Sequence, residues 1–176
     1  VMEKTFEELT ATEKSSLGAE LVTNGTMEAD SNWADTGSPD INEQSSTQVH
    51  SGTYSRYLRN DAGVNDGMVG ATFTTVAETL YKVEYWTYGV SGDVQLYVRN
   101  GANDNKSLQE IVTPAVGSWE KHTYYYTEAA SKGGSGAYVV FRRAGLNCYI
   151  DDVSVKAVTH DLVSYWPLDV DGSDSH

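Results

Sequence analysis

The chain has 176 residues and a formal net charge of −13, from 12 Lys and Arg against 25 Asp and Glu. That balance argues against a nucleic-acid partner, which calls for clustered cations, and no run approaches the roughly 18 apolar residues of a membrane span. A single cysteine, Cys148, excludes an internal disulfide, while 16 Gly and 12 Tyr set among short alternating apolar runs indicate an all-β chain.

In chain order, "EKTFEELTATEKSSL" (3–17) places Phe6, Leu9 and Leu17 on a thin apolar stripe. It predicts a short amphipathic helix ending at Gly18, an arm or linker over residues 1–18. From Leu21 the pattern becomes that of strands. "ELVTNG" enters a strand and a turn, and Trp33 sits in a polar loop as an apolar plug. "TQVHSGTYSRYLRN" reads as two short strands around a Ser-Gly turn. "GMVGATFTTV" reads as one strand with Val69, Ala71 and Phe73 on a common face.

"TLYKVEYWTYGV" alternates cleanly: Tyr81, Val83 and Tyr85 share one face, and Lys82, Glu84, Trp86 and Tyr88 the other. In "GDVQLYVRNG" the residues Val94, Leu96 and Val98 point inward and Gln95, Tyr97 and Arg99 outward. "SWEKHTYYYTEA" puts His122, Tyr124 and Tyr126 inside and leaves Tyr125 exposed, with Trp119 capping the core at its start. "GAYVVFRRAG" and "CYIDDVSVKAV" complete a set of roughly eight to ten strands, the count of a two-sheet antiparallel β-sandwich or jelly roll over residues 19–158. Strict alternation through "CYIDDVSV" groups Tyr149, Asp151, Val153 and Val155, so Asp151 points inward with the valines and needs a partner. After a polar step the pattern restarts at "DLVSYWPLD", and residues 159–176 read as a linker and the start of a second module.

The succession "ELVTNGTMEADSNW", "VHSGTYS", "TLYKVEYWTYG", "SWEKHTYYYT" and "CYIDDVSV" resembles, in order and spacing, the jelly-roll carbohydrate-binding modules of families four, nine and twenty-two. "NGTMEADSNW" also resembles openings of such modules in tailed-phage virion proteins, and "DLVSYWPLD" the opening strand of a laminin-G or concanavalin-like lectin domain. The resemblance implies a structural calcium held by Glu28 and Asp151, helped by carbonyls near Thr26, His50 and Thr53. His50 stands where some relatives supply a carboxylate. Two alternatives stay open for Asp151: it accepts backbone N–H bonds, or a bulge turns it outward.

A sugar is bound by flat aromatic rings with polar side chains beside them. The outward residues Trp86, Tyr88, Gln95, Tyr97, Arg99 and Arg142, with Glu84 and Tyr138, form the expected binding face, centred on Trp86, Tyr97 and Arg99, and Tyr125 is a further exposed candidate. No catalytic residues are expected. The histidines at 50, 122, 160 and 176 lack metal-ligand spacing, and neither a nucleophile elbow nor a phosphate-cradling loop is present. The chain therefore reads as a non-catalytic carbohydrate-binding module, extracellular or on a virion surface. The alternative is a structural phage virion protein that uses the sandwich for subunit packing or host attachment.

Overall fold

A computed structural model describes residues 16–101 and 106–159. The expected helical arm and the start of a second module lie outside the described residues, apart from their inner ends. Residues Leu17–Val158 form one compact unit. Its strands are β1 (Trp33–Thr36), β2 (Ile41–Ser45), β3 (Ser55–Asn60), β4 (Gly67–Gly70), β5 (Phe73–Thr75), β6 (Leu80–Ser91), β7 (Val94–Asn100), β8 (Lys106–Val112), β9 (Trp119–Thr127), β10 (Gly134–Arg142) and β11 (Leu146–Ala157).

They build two antiparallel sheets, as the alternating patterns require. The first runs β1-β4-β10-β7-β8, with β5 also paired to β10, and the second runs β2-β3-β11-β6-β9. Tyr81, Val83, Tyr85, Leu58, Leu146, Cys148 and Ile150 of the second sheet meet Val94, Leu96, Val98, Met68, Val139 and Phe141 of the first in one buried core. Each of these side chains is the inward half of an alternation. Trp33 plugs the core at the edge of β1, with its ring tilted 43° against Phe141 at 6.1 Å.

Three expectations change. "GMVGATFTTV" is two strands, β4 and β5, because the chain leaves the ladder at residues 71–72. Met68 and Phe73 are therefore the buried pair, and Val69 faces outward. "TQVHSGTYSRYLRN" contributes only β3, and the residues before it form a loop.

The third change is in β11. Asp151 pairs with Trp86 but Ser154 pairs with Glu84, so β11 carries one extra residue, and Asp152 adopts φ +48 to accommodate it. A bulge of this kind reverses the alternation. Cys148 and Ile150 point inward before it, and Val153 and Val155 after it. Asp and Asn tolerate positive φ better than other residues with side chains, which suits Asp152 to the position.

The N-terminal segment clamps the far half of β11. Leu21 N–H donates to Val155 O at 3.0 Å, and Val153 N–H to Gly25 O at 2.8 Å. A Cβ on Gly25 would sit 1.9 Å from Val153 O, so only glycine permits this approach.

Candidate functional site

The sheet order separates residues that the sequence pattern placed on one face. Trp86, Tyr88 and Tyr125 lie on the outer face of the second sheet, whereas Gln95, Tyr97, Arg99, Tyr138 and Arg142 lie on the outer face of the first. The expected centre of Trp86 with Tyr97 and Arg99 is not formed. These two outer faces are turned away from each other across the sandwich.

On the second sheet, a row of aromatic side chains crosses four strands at one register. Tyr57 of β3 pairs with Tyr149 of β11, Tyr149 with Tyr88 of β6, and Tyr88 with Trp119 of β9. Directly opposed residues on neighbouring strands share a face and touch. The rings of Tyr57 and Tyr149 stack at 4.6 Å, Tyr149 meets Tyr88 edge-on at 6.1 Å, and Tyr88 lies 5.8 Å from Trp119. All four are half-buried. With strands about 4.8 Å apart, the row spans roughly 14 Å. A groove lined by Gln48, Tyr88, Val90, Val116 and Tyr149 runs beside it.

Tyr149 and Trp119 were expected in or over the core. The bulge in β11 turns Tyr149 outward, and Trp119 belongs to the row rather than to the core. Tyr125 is 46% exposed on the same face. It lies apart from the row, beyond Lys121 and Thr123 on β9. Between them Glu84 receives Lys121 Nζ at 2.6 Å and Lys82 Nζ at 3.0 Å. These cations hold the Glu84 carboxyl below its ordinary range despite partial burial.

One corner of this face is closed by the 48–54 loop. Asp151 lies beneath it, fully buried on the Trp86 side of the sheet rather than among the valines. Its Oδ2 accepts N–H from His50 at 3.0 Å and Ser51 at 3.2 Å, and its Oδ1 accepts its neighbour Asp152 N–H at 2.8 Å. Burial nonetheless pushes its pKa up to about 6. Glu28 Oε1 accepts N–H from Thr53 at 2.9 Å and Tyr54 at 3.1 Å, and these bonds lower its pKa. Gly52 turns under that carboxylate at φ +70, and a Cβ there would come within 2.3 Å of Oε1. The His50 ring stacks on Trp86 at 3.7 Å while its Nδ1 meets Asp152 Oδ2 at 2.6 Å.

Glu28 and Asp151 thus direct oxygens at backbone amides, and the His50 ring is committed to Trp86 and Asp152. Among the described residues, no group of three or more His, Cys, Asp or Glu side chains is placed to hold a metal ion. Calcium needs six to eight converging oxygens. In this structure the expected set of Glu28, Asp151, His50 and Thr53 is joined as a loop latch, with the two carboxylates accepting the backbone N–H groups of Thr53 and His50.

On the first sheet, Tyr97 sits at the centre of the outer face and is only 4% exposed. Arg99 and Arg142 lie over its ring at 4.7 and 4.8 Å, and Lys106 Nζ at 5.2 Å. The Tyr97 hydroxyl donates to Gln95 Oε1 at 2.5 Å. Tyr97 is therefore no open stacking platform, because cations cover it. Lys106, on β8, was not among the expected site residues.

No protein-family model matches this chain, and no curated protein matches it. Solved structures match it in fold. A CBM4 structure aligns with a TM-score of 0.62 at 12% identity, over 77% of this chain and 99% of its own. The CBM22-1 xylan-binding domain of Paenibacillus barcinonensis Xyn10C gives 0.59 at 13% identity, over 85% of this chain and 99% of its own. The enzymatically active domain of bacteriophage CBA120 tailspike protein 4 gives 0.59 at 12% identity, over 78% of this chain and 21% of that one. At such identities the shared property is the fold, and the chain has the jelly-roll sandwich found in carbohydrate-binding modules.

Proposed function

We propose that the protein binds a neutral poly- or oligosaccharide, without turning it over, on the outer face of the second sheet. The observation that carries this reading is the four-ring row Tyr57–Tyr149–Tyr88–Trp119, in register across four strands and flanked by a groove. Half-buried rings keep one surface for the solvent while neighbours fix their orientation. Such rigid aromatic area binds at low cost in conformational entropy. Similarity in fold to carbohydrate-binding modules supports the same reading. The setting proposed is an extracellular or virion-surface protein, since a face of this kind serves an attachment protein as readily as a targeting module. Among the described residues no helix is long and apolar enough to cross a membrane.

The test is retention of the protein in native gels containing xylan, β-glucan or galactan, compared with Tyr149→Ala and Tyr88→Ala. At least one polysaccharide should retard the wild type. Each variant should weaken that retention about fivefold or more, as loss of a central interface aromatic does, with its melting transition kept. Variants that fold and bind as the wild type does would overturn the assignment of the row.

A further inference from the structure

The first sheet presents a different chemistry, independent of the aromatic row. Cations are scarce in this chain, 12 against 25 acids, yet three of them converge on a single ring, Tyr97, from three strands. Arg99 comes from β7, Arg142 from β10 and Lys106 from β8. Cross-strand register identifies the rest of this face: Tyr138 and Val140 beside β7, Gln109 and Ile111 on β8, and Val69 on β4. Among the described residues, no Asp or Glu occupies these outward strand positions.

The ring's negative face holds the cations in place. It does not neutralise them, and like charges gathered at one point favour an anion among them. Arg142 adds a specific sign: its Nε is buried and has no hydrogen-bond partner among the described residues. A buried donor without a partner costs stability, so a shift of the Arg142 side chain that brings it to an acceptor is favoured.

We propose that this face is a second binding site, directed at an acidic glycan whose sugars carry carboxylates. The planar guanidinium of Arg142 matches a carboxylate with two parallel N–H donors, Lys106 supplies a further positive charge, and Gln109 and Tyr138 lie beside them for sugar hydroxyls. Strand spacing of about 4.8 Å places these groups within reach of one or two sugar units.

The test is calorimetric titration of the whole chain at low salt with oligogalacturonate, neutral galacto-oligosaccharide of equal length, and dextran sulfate. Oligogalacturonate should bind at least about tenfold more tightly than the neutral sugar, the ratio expected of a charge-assisted pair, and more tightly than dextran sulfate per charge. Arg142→Gln and the surface variant Lys106→Gln should each weaken it, and Tyr149→Ala should not. Equal affinity for charged and neutral sugars would overturn the proposal, as would unchanged binding by a folded Lys106→Gln and Arg142→Gln pair. Tighter binding of dextran sulfate would overturn the assignment to carboxylates. Arg142 is partly buried, so if its variant does not fold, the Lys106→Gln result decides.

Discussion

Asp151 is the residue at which the chain's acidity meets its core. It is fully buried, with three backbone amides aimed at its carboxylate, yet desolvation outweighs them and raises its pKa from 3.8 to about 6. The native state therefore holds a proton that the unfolded chain has released between about pH 4 and 6. Stability falls as pH rises through a range where the native state binds more protons. Asp151 favours the fold most when protonated, and that contribution is lost as pH climbs through about 6. In Asp151→Asn the amide oxygen still accepts a backbone N–H but does not titrate. The melting temperature of wild type minus that of Asp151→Asn should thus decrease from pH 4 to pH 6.5. A difference that stays constant or grows would show that burial does not control this carboxyl. His122 contributes with the opposite sign. It is buried against Thr87 Oγ1 at 2.8 Å, its pKa is lowered by desolvation, and it stabilises the fold as pH rises toward its unfolded value. The comparison with Asp151→Asn cancels that background.

At the scale of strands and loops, alternation was legible wherever it was unbroken. Trp86 and Tyr88 face outward from β6, and Tyr97 and Arg99 from β7, as the pattern of each segment alone requires. Two things were not legible, for physical reasons. Periodicity says which face a residue takes but not which sheet its strand joins. Strands β6 and β7 are consecutive in the chain yet sit in opposite sheets, which parts Trp86 from Tyr97. The second is the β11 bulge, which moves Tyr149 from the core face to the aromatic row. Its trace in the sequence is the pair of adjacent aspartates, which breaks the alternation of the strand. The family resemblance implied a calcium at Glu28 and Asp151, and the latch formed by Glu28, Asp151 and the 48–54 loop gives that expectation its test. If carboxylate–amide bonds close the loop, a chelator should leave the wild-type melting temperature unchanged, while Glu28→Ala should lower it by releasing the Thr53 and Tyr54 amides. A chelator that brings the wild type down to the level of Glu28→Ala would establish a cation at this corner.

For the molecule as a whole, the two sheets share one core but offer opposite outer faces, one aromatic and one cationic. The sheets of a sandwich lie about 10 Å apart, so side chains on the two outer faces have no partner in common. Their contributions should therefore be independent in free energy, within the 0.3–0.5 kcal/mol or so typical of distant sites. Salt separates them further. Raising it from about 0.1 M to about 1 M shortens the screening length from roughly 10 Å to roughly 3 Å. Oligogalacturonate binding at Arg142 and Lys106 should weaken severalfold over that range, while neutral-glycan binding at Tyr149 and Tyr88 should hardly change. In a protein of net charge −13, bulk repulsion of an acidic glycan is itself relieved by salt. A salt-weakened interaction must then come from a local cationic patch strong enough to outweigh that trend. The double variant Tyr149→Ala with Arg142→Gln should lose both activities, each by the factor its single variant shows. Loss of oligogalacturonate binding on Tyr149→Ala alone, or tighter oligogalacturonate binding at high salt, would mean that the two faces do not act as separate sites.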